Sequence, residues 1–137
     1  MDNFYAVIDT NVIVSAFLKS DSIPDKILRH ALIGSIIPLL SEEILNEYRD
    51  VLLRNQFGFD SKAIDIFIDE LSKRAIFLDR TKTDEQFIDL DDVIFYEIVL
   101  TAKNVVPAYL ITGNKRHFPI KPFVVTPREM LDIIESK

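Results

Sequence analysis

The chain contains no cysteine, which excludes disulfides and thiolate metal sites and makes a reducing cytoplasm the expected compartment. Glycine is scarce, three in 137 residues beside six prolines, so no stretch suits a flexible linker, and neither a repeat nor a low-complexity segment is visible. No apolar run approaches the roughly 20 residues of a membrane span. The chain does not open on a basic segment followed by a long apolar one, so no secretory leader is expected. Positive charge is also short: 16 Lys and Arg stand against 22 Asp and Glu, for a net charge of −6. Taken alone, that count speaks against nucleic-acid binding, which uses cationic surface to displace phosphate counterions. A cluster of acids that binds divalent cations would produce the same excess, so net charge decides nothing. What is present is ordinary for a globular fold. Hydrophobic residues make up 48% and charged residues 28%, enough for one domain over residues 1–137 with a sizeable core.

Short apolar runs alternate with helical periodicity. Residues 4–8 read as a buried strand, followed at once by a short helix over 11–18. Ser22 and Pro24 open a second helix with the apolar stripe Ile27, Leu28, Ala31 and Leu32. Residues 36–40 form strand two, and Ser41 caps a helix with Glu42 and Glu43 in its first turn, where negative charge suits the dipole. Phe57-Gly58 breaks that pattern, and a further helix runs over about 60–73. Strand three is expected at 75–78, a polar loop at 79–86, and a helix from Asp91 or Asp92 to about Lys103. Strands four and five are expected at 109–112 and 123–125. The last helix starts on Thr126, Pro127 and Glu129, a capping box. Strands alternating with helices imply an α/β sandwich with a mostly parallel sheet of about five strands covered on both faces. Ligand crevices in such folds lie beyond the C-terminal strand ends.

Polar residues collect at that edge. Asp9 directly follows strand one. Glu47 lies on the flank of the apolar stripe Ile44, Leu45, Tyr48, Val51 and Leu52. Asp92 opens a helix and shares a face with Phe95, Tyr96 and Val99, with Asp89 and Asp91 just before it. Asn114 follows strand four in "YLITGN". Each has a plainer reading: Asp9 as a helix cap, Glu47 as a solvated helix residue, the aspartates as a capping cluster, Asn114 as a turn residue. Their convergence favours a site. Hard oxygen donors without Cys or His suit Mg²⁺ or Mn²⁺, which can activate water and neutralise a phosphoryl oxygen. Lys115, Arg116 and His117 follow Asn114 and would rim the same crevice. They read either as phosphate contacts or as solvated loop charges, and His30 reads as structural.

In the order "VIDTNVIVSAFL", "SEEILNEYRDVLLR", "DLDD", "YLITGNKRHFP" and "VVTPREML", nearly the whole chain resembles the PIN-domain ribonucleases, in particular the toxin components of bacterial toxin–antitoxin pairs. The resemblance implies a metal-dependent endoribonuclease with Asp9, Glu47 and Asp92 as metal ligands and Asn11, Thr112, Lys115 and Arg116 in supporting or substrate roles. Asn114 stands where the family commonly has a fourth acid. Of the tandem Asp91-Asp92, Asp92 is preferred as ligand and Asp91 as N-cap. The resemblance also implies inhibition by a small antitoxin and frequent homodimers. Phe17, Leu18, Ile27 and Leu28 exceed what one sheet face plainly needs and are expected to supply some of that interface.

Three rivals remain. A phospho-acceptor receiver domain would want adjacent acids after strand one, and the chain offers Asp-Thr-Asn. A haloacid-type phosphatase would need Asp at both ends of Asp-x-Asp, where Asn11 fails. A PIN-like scaffold that binds RNA or protein without cleaving is kept open by Asn114.

Overall fold

The computed structural model describes residues 3–136. Along the chain run β1 (Phe4–Ile8), α1 (Thr10–Leu18), α2 (Ile23–Ile33), β2 (Ile36–Leu40), α3 (Glu42–Leu52), α4 (Ser61–Arg74), β3 (Ile76–Phe77), α5 (Val93–Lys103), β4 (Ala108–Ile111), β5 (Val124–Val125) and α6 (Pro127–Glu135). A short 3₁₀ turn at Leu90–Asp92 leads into α5, whose start was expected at Asp91 or Asp92, and a second at Lys115–His117 lies where no regular element was expected. The five strands form one parallel sheet in the order β3-β2-β1-β4-β5, sandwiched by the helices. A receiver domain has the order 2-1-3-4-5, so the topology removes that rival.

Local chemistry accounts for the element boundaries. Ser22 and Ser41 accept from the amides of Asp25 and Ile44, and Thr126 with Glu129 forms both halves of a capping box. Gly34 closes α2 at φ 99°, and Gly58 turns the segment between α3 and α4 at φ 64°, conformations that cost glycine least. Strand four runs one residue earlier than expected. Thr112 lies just past its end, yet its amide still donates to the Val125 carbonyl at 2.9 Å. Strand three shrinks to two exposed residues at the sheet edge.

The core is continuous from Ala6, Val7 and Ile8 through the predicted α3 stripe to Phe95, Ile98 and Val99 of α5. Ile27 and Leu28 belong to it, at 0% and 5% exposure, so they cannot form an interface groove as expected. They are taken up by packing of α2 on β2, α1 and α6. Phe17 is half-buried against Phe59 and Phe67, and only Leu18 of that group is freely exposed. Among the described residues no helix is long and apolar enough to cross a membrane.

Candidate active site

The strand order reverses between β1 and β4, and a crevice opens at such a switch point beyond the strand ends. Asp9 sits there. Its amide donates to the Ile111 carbonyl at 2.9 Å, which extends the β1–β4 ladder by one step and leaves the carboxylate at the sheet edge. Asp9 holds the N-cap position of α1, but its side chain makes no capping hydrogen bond. Its Oδ2 instead accepts from the Thr112 hydroxyl at 2.8 Å and the Asn11 amide at 3.1 Å. Asn11 Oδ1 in turn accepts from Gly113 N at 3.0 Å, and the Thr112 hydroxyl accepts from Asn114 N at 3.0 Å. This ring ties the ends of β1 and β4 around one buried carboxylate. Glycine at 113 allows this close approach, since a Cβ there would come within 3.3 Å of Asn11 Oδ1 and press the Asn11 side chain back by a few tenths of an ångström.

Helix α3 is pinned to the same edge by Tyr48, whose buried hydroxyl donates to the Ile8 carbonyl. The neighbouring Glu47, half-buried, lines the same cleft as Asp9. From the other side comes the turn before α5. Asp89 caps it, accepting from Asp91 N at 2.9 Å, so the capping role expected of Asp91 falls to Asp89. Asp92 makes no capping bond and instead meets the His117 ring, Nδ1 to Oδ2 3.2 Å. Asp9, Asn11, Glu47, Asp89, Asp91 and Asp92 all line one cleft of about 410 Å³.

Electrostatics reflects that crowding. Burial raises the proton affinity of Asp9, partly offset by the Thr112, Thr10 and Asn11 hydrogen bonds and by nearby His117. Burial also raises Glu47, helped by the Asp91 charge and opposed by Arg54. Asp92 is pushed up to about 6, first by burial and then by the charges of Asp9 and Asp89, with His117 pulling the other way. Carboxylates with raised proton affinity facing one cleft carry charge that the protein compensates only in part.

A family model described as PIN domain matches residues 5–116. The chain belongs to the PIN domain family. Comparison with curated proteins gives no match. Among solved structures, a chain in the crystal structure of VapBC2 from Rickettsia felis, bound to a DNA fragment from their promoter, is similar with a TM-score of 0.56. Identity is 14%, covering 90% of this chain and 97% of that one, a likeness that speaks for the fold.

PIN domains are generally nucleases and typically use divalent metals, and the donor set here suits one. Every lining acid is a hard oxygen donor, and the buried Thr10 hydroxyl beside Asp9 has no partner among the described residues. No three acids or histidines among those residues form a ready-made cage. Mg²⁺ commonly binds through one or two carboxylates and keeps its remaining waters, so an open acidic cleft fits it better than a closed cage would.

The remaining sequence-derived residues are placed less centrally. Asn114 is half-buried next to the cleft and joined to Asp9 through Thr112, but does not line the cleft. Lys115 reaches Glu129 of α6 at 3.2 Å, and Arg116 is exposed outside the cleft. The contact of His117 with Asp92 has no local sequence signal, because 25 residues separate the two. Arg54 and Phe57, which also line the cleft, lie past the end of α3 at Leu52, and no local signal in the sequence places them there.

Proposed function

We propose that this PIN domain is a Mg²⁺- or Mn²⁺-dependent endoribonuclease and the toxin of a toxin–antitoxin pair. The observation that carries the reading is Asp9, a buried carboxylate spent on neither a helix cap nor an ion pair and facing other acids across a cleft. Asp9, Asp92 and Glu47 would hold the metal, which when bound would activate water and offset charge on the scissile phosphate. The protein's own part is positioning. Asn11 and Thr112 fix the Asp9 carboxylate, Tyr48 holds α3 so that Glu47 faces it, and His117 orients Asp92. The turn Lys115–His117 offers cations to RNA phosphates beyond the cleft. A small antitoxin would cover this face, and the exposed Leu18 and Ile33 offer apolar surface to it or to a second copy.

The test is incubation of purified protein with mixed structured RNAs in Mg²⁺, in Mn²⁺ and in EDTA. Endonucleolytic products that need metal and vanish with Asp9→Asn are expected. RNA that stays intact under every condition refutes the assignment and leaves a PIN-like binding scaffold, which the neutral Asn114 at the family's fourth acidic position favours as the second reading.

A further inference from the structure

Resting on the nuclease reading above, we infer that Arg54 and Phe57 form a subsite for one nucleotide of a single-stranded RNA, flanking the acidic centre. An acidic cleft repels the polyanion it must bind, so some cation has to offset the phosphates. Of the residues that line the cleft, Arg54 carries the positive charge against Asp9, Glu47, Asp89, Asp91 and Asp92. Arg54 stands just past the end of α3 at Leu52, its amide donating to the Val51 carbonyl at 3.1 Å. The turn that leaves the Glu47 helix thus carries this charge on the cleft wall, where it would meet a phosphate next to the reacting one. Arg54 is held loosely. Its ion pair is with Asp50 at 3.8 Å, and both side chains are more than half exposed, so its guanidinium can leave that partner at little cost.

Phe57 supplies the second element. It follows Arg54 in the turn after α3, is half-buried, and lines the same cleft. One part of its ring is covered by Phe59, stacked at 5.3 Å and 8°, which fixes the ring plane. On this inference the side of the ring that borders the cleft receives the base. Bases stack on such faces with little sequence preference, and a free face is available on a base only in single strands. A cation and an aromatic ring three residues apart, beside the acids, match a phosphate and its base.

The experiment measures binding of a fluorescent single-stranded oligoribonucleotide in Mg²⁺, with Asp9→Asn as the common background so that cleavage does not intervene. Steady-state cleavage is measured in parallel with Asp9 intact. Arg54→Gln should lower the slope of log affinity against log salt by about 0.7, the loss of one phosphate contact on a single strand. Arg54→Lys should restore the slope. Phe57→Ala should weaken binding about tenfold, within the range of one lost base stack, without changing the slope, and Phe57→Tyr should recover it. In cleavage, each loss should appear mainly in KM. Lys26→Gln, an exposed cation on α2, is the charge control. If Arg54→Gln and Phe57→Ala bind and cleave like the parent, or if Lys26→Gln shifts the slope equally, the subsite is wrong while the nuclease reading stands. If the parent neither binds nor cleaves RNA, both fall.

Discussion

Replacing Asp9 with Asn should make the metal-free protein more stable while abolishing cleavage. The two side chains have the same shape, and an Asn oxygen can still accept from Thr112 and Asn11, so the ring joining β1 to β4 survives. What disappears is a buried charge whose ionisation is disfavoured by burial, together with its repulsion of Asp92. The Asp92 carboxyl, at about 6 against an ordinary 3.8, sets the scale: that difference is worth at most about 3 kcal/mol, and only part of it comes from Asp9. A gain of roughly 1–2 kcal/mol follows, or about 3–6 °C in melting temperature for a chain of this size. Calorimetry in EDTA measures it directly. Adding Mg²⁺ should raise the parent's melting temperature by mass action and the variant's by much less. A variant that melts several degrees lower in EDTA, or responds to Mg²⁺ as the parent does, would refute both the repulsion and the ligand role.

The same repulsion makes metal-free stability depend on pH. With Asp9, Glu47 and Asp92 all raised on folding, their stabilising contribution is complete below their unfolded values and lost as pH rises through their raised folded values, which for Asp92 is about 6. Denaturant unfolding in EDTA should therefore give a higher stability at pH 5 than at pH 7.5, and saturating Mg²⁺, which needs deprotonated ligands, should flatten or reverse the trend. Tyr48→Phe should cost about 1–3 kcal/mol by leaving the buried Ile8 carbonyl unpaired, and should lower kcat by freeing Glu47. Asn114→Asp should lower the Mn²⁺ concentration for half-maximal cleavage and reduce the melting temperature in EDTA. An unchanged metal titration would place residue 114 outside the centre.

Much of the scaffold was legible because its signals are local. An apolar run that ends on an acid marks β1 and Asp9, and the α3 stripe reads correctly because all five of its apolar residues face the core. Thr126 with Glu129 announces α6 through hydrogen bonds that span three residues. Three kinds of information were not local. Strand order depends on which edges pair across the chain. The division of labour among Asp89, Asp91 and Asp92 depends on which of three chemically equal carboxylates turns toward the helix amides. The burial of Ile27 and Leu28 goes with the packing of α2 on α1, β2 and α6, the last about a hundred residues later in the chain.

The acidic balance of the chain takes on a different meaning once these placements are known. Several of its 22 acids are spent on exposed helix pairs such as Lys73 with Asp69 and Glu70, which contribute little to stability. Others anchor structure. Buried Glu97 accepts from Arg80 at 2.7 Å and from Thr83 N at 2.9 Å, tying the loop that leads toward Asp89 onto α5. Those in the cleft are held by hydrogen bonds from Thr112, Asn11 and the Asp91 amide and by the His117 ring, with no Lys or Arg ion pair among the described residues, and Arg54 lines the cleft with only a loose partner. A global charge of −6 is thus compatible with binding a polyanion, because the opposing charge is concentrated where a divalent cation can neutralise it and a single arginine stands beside it.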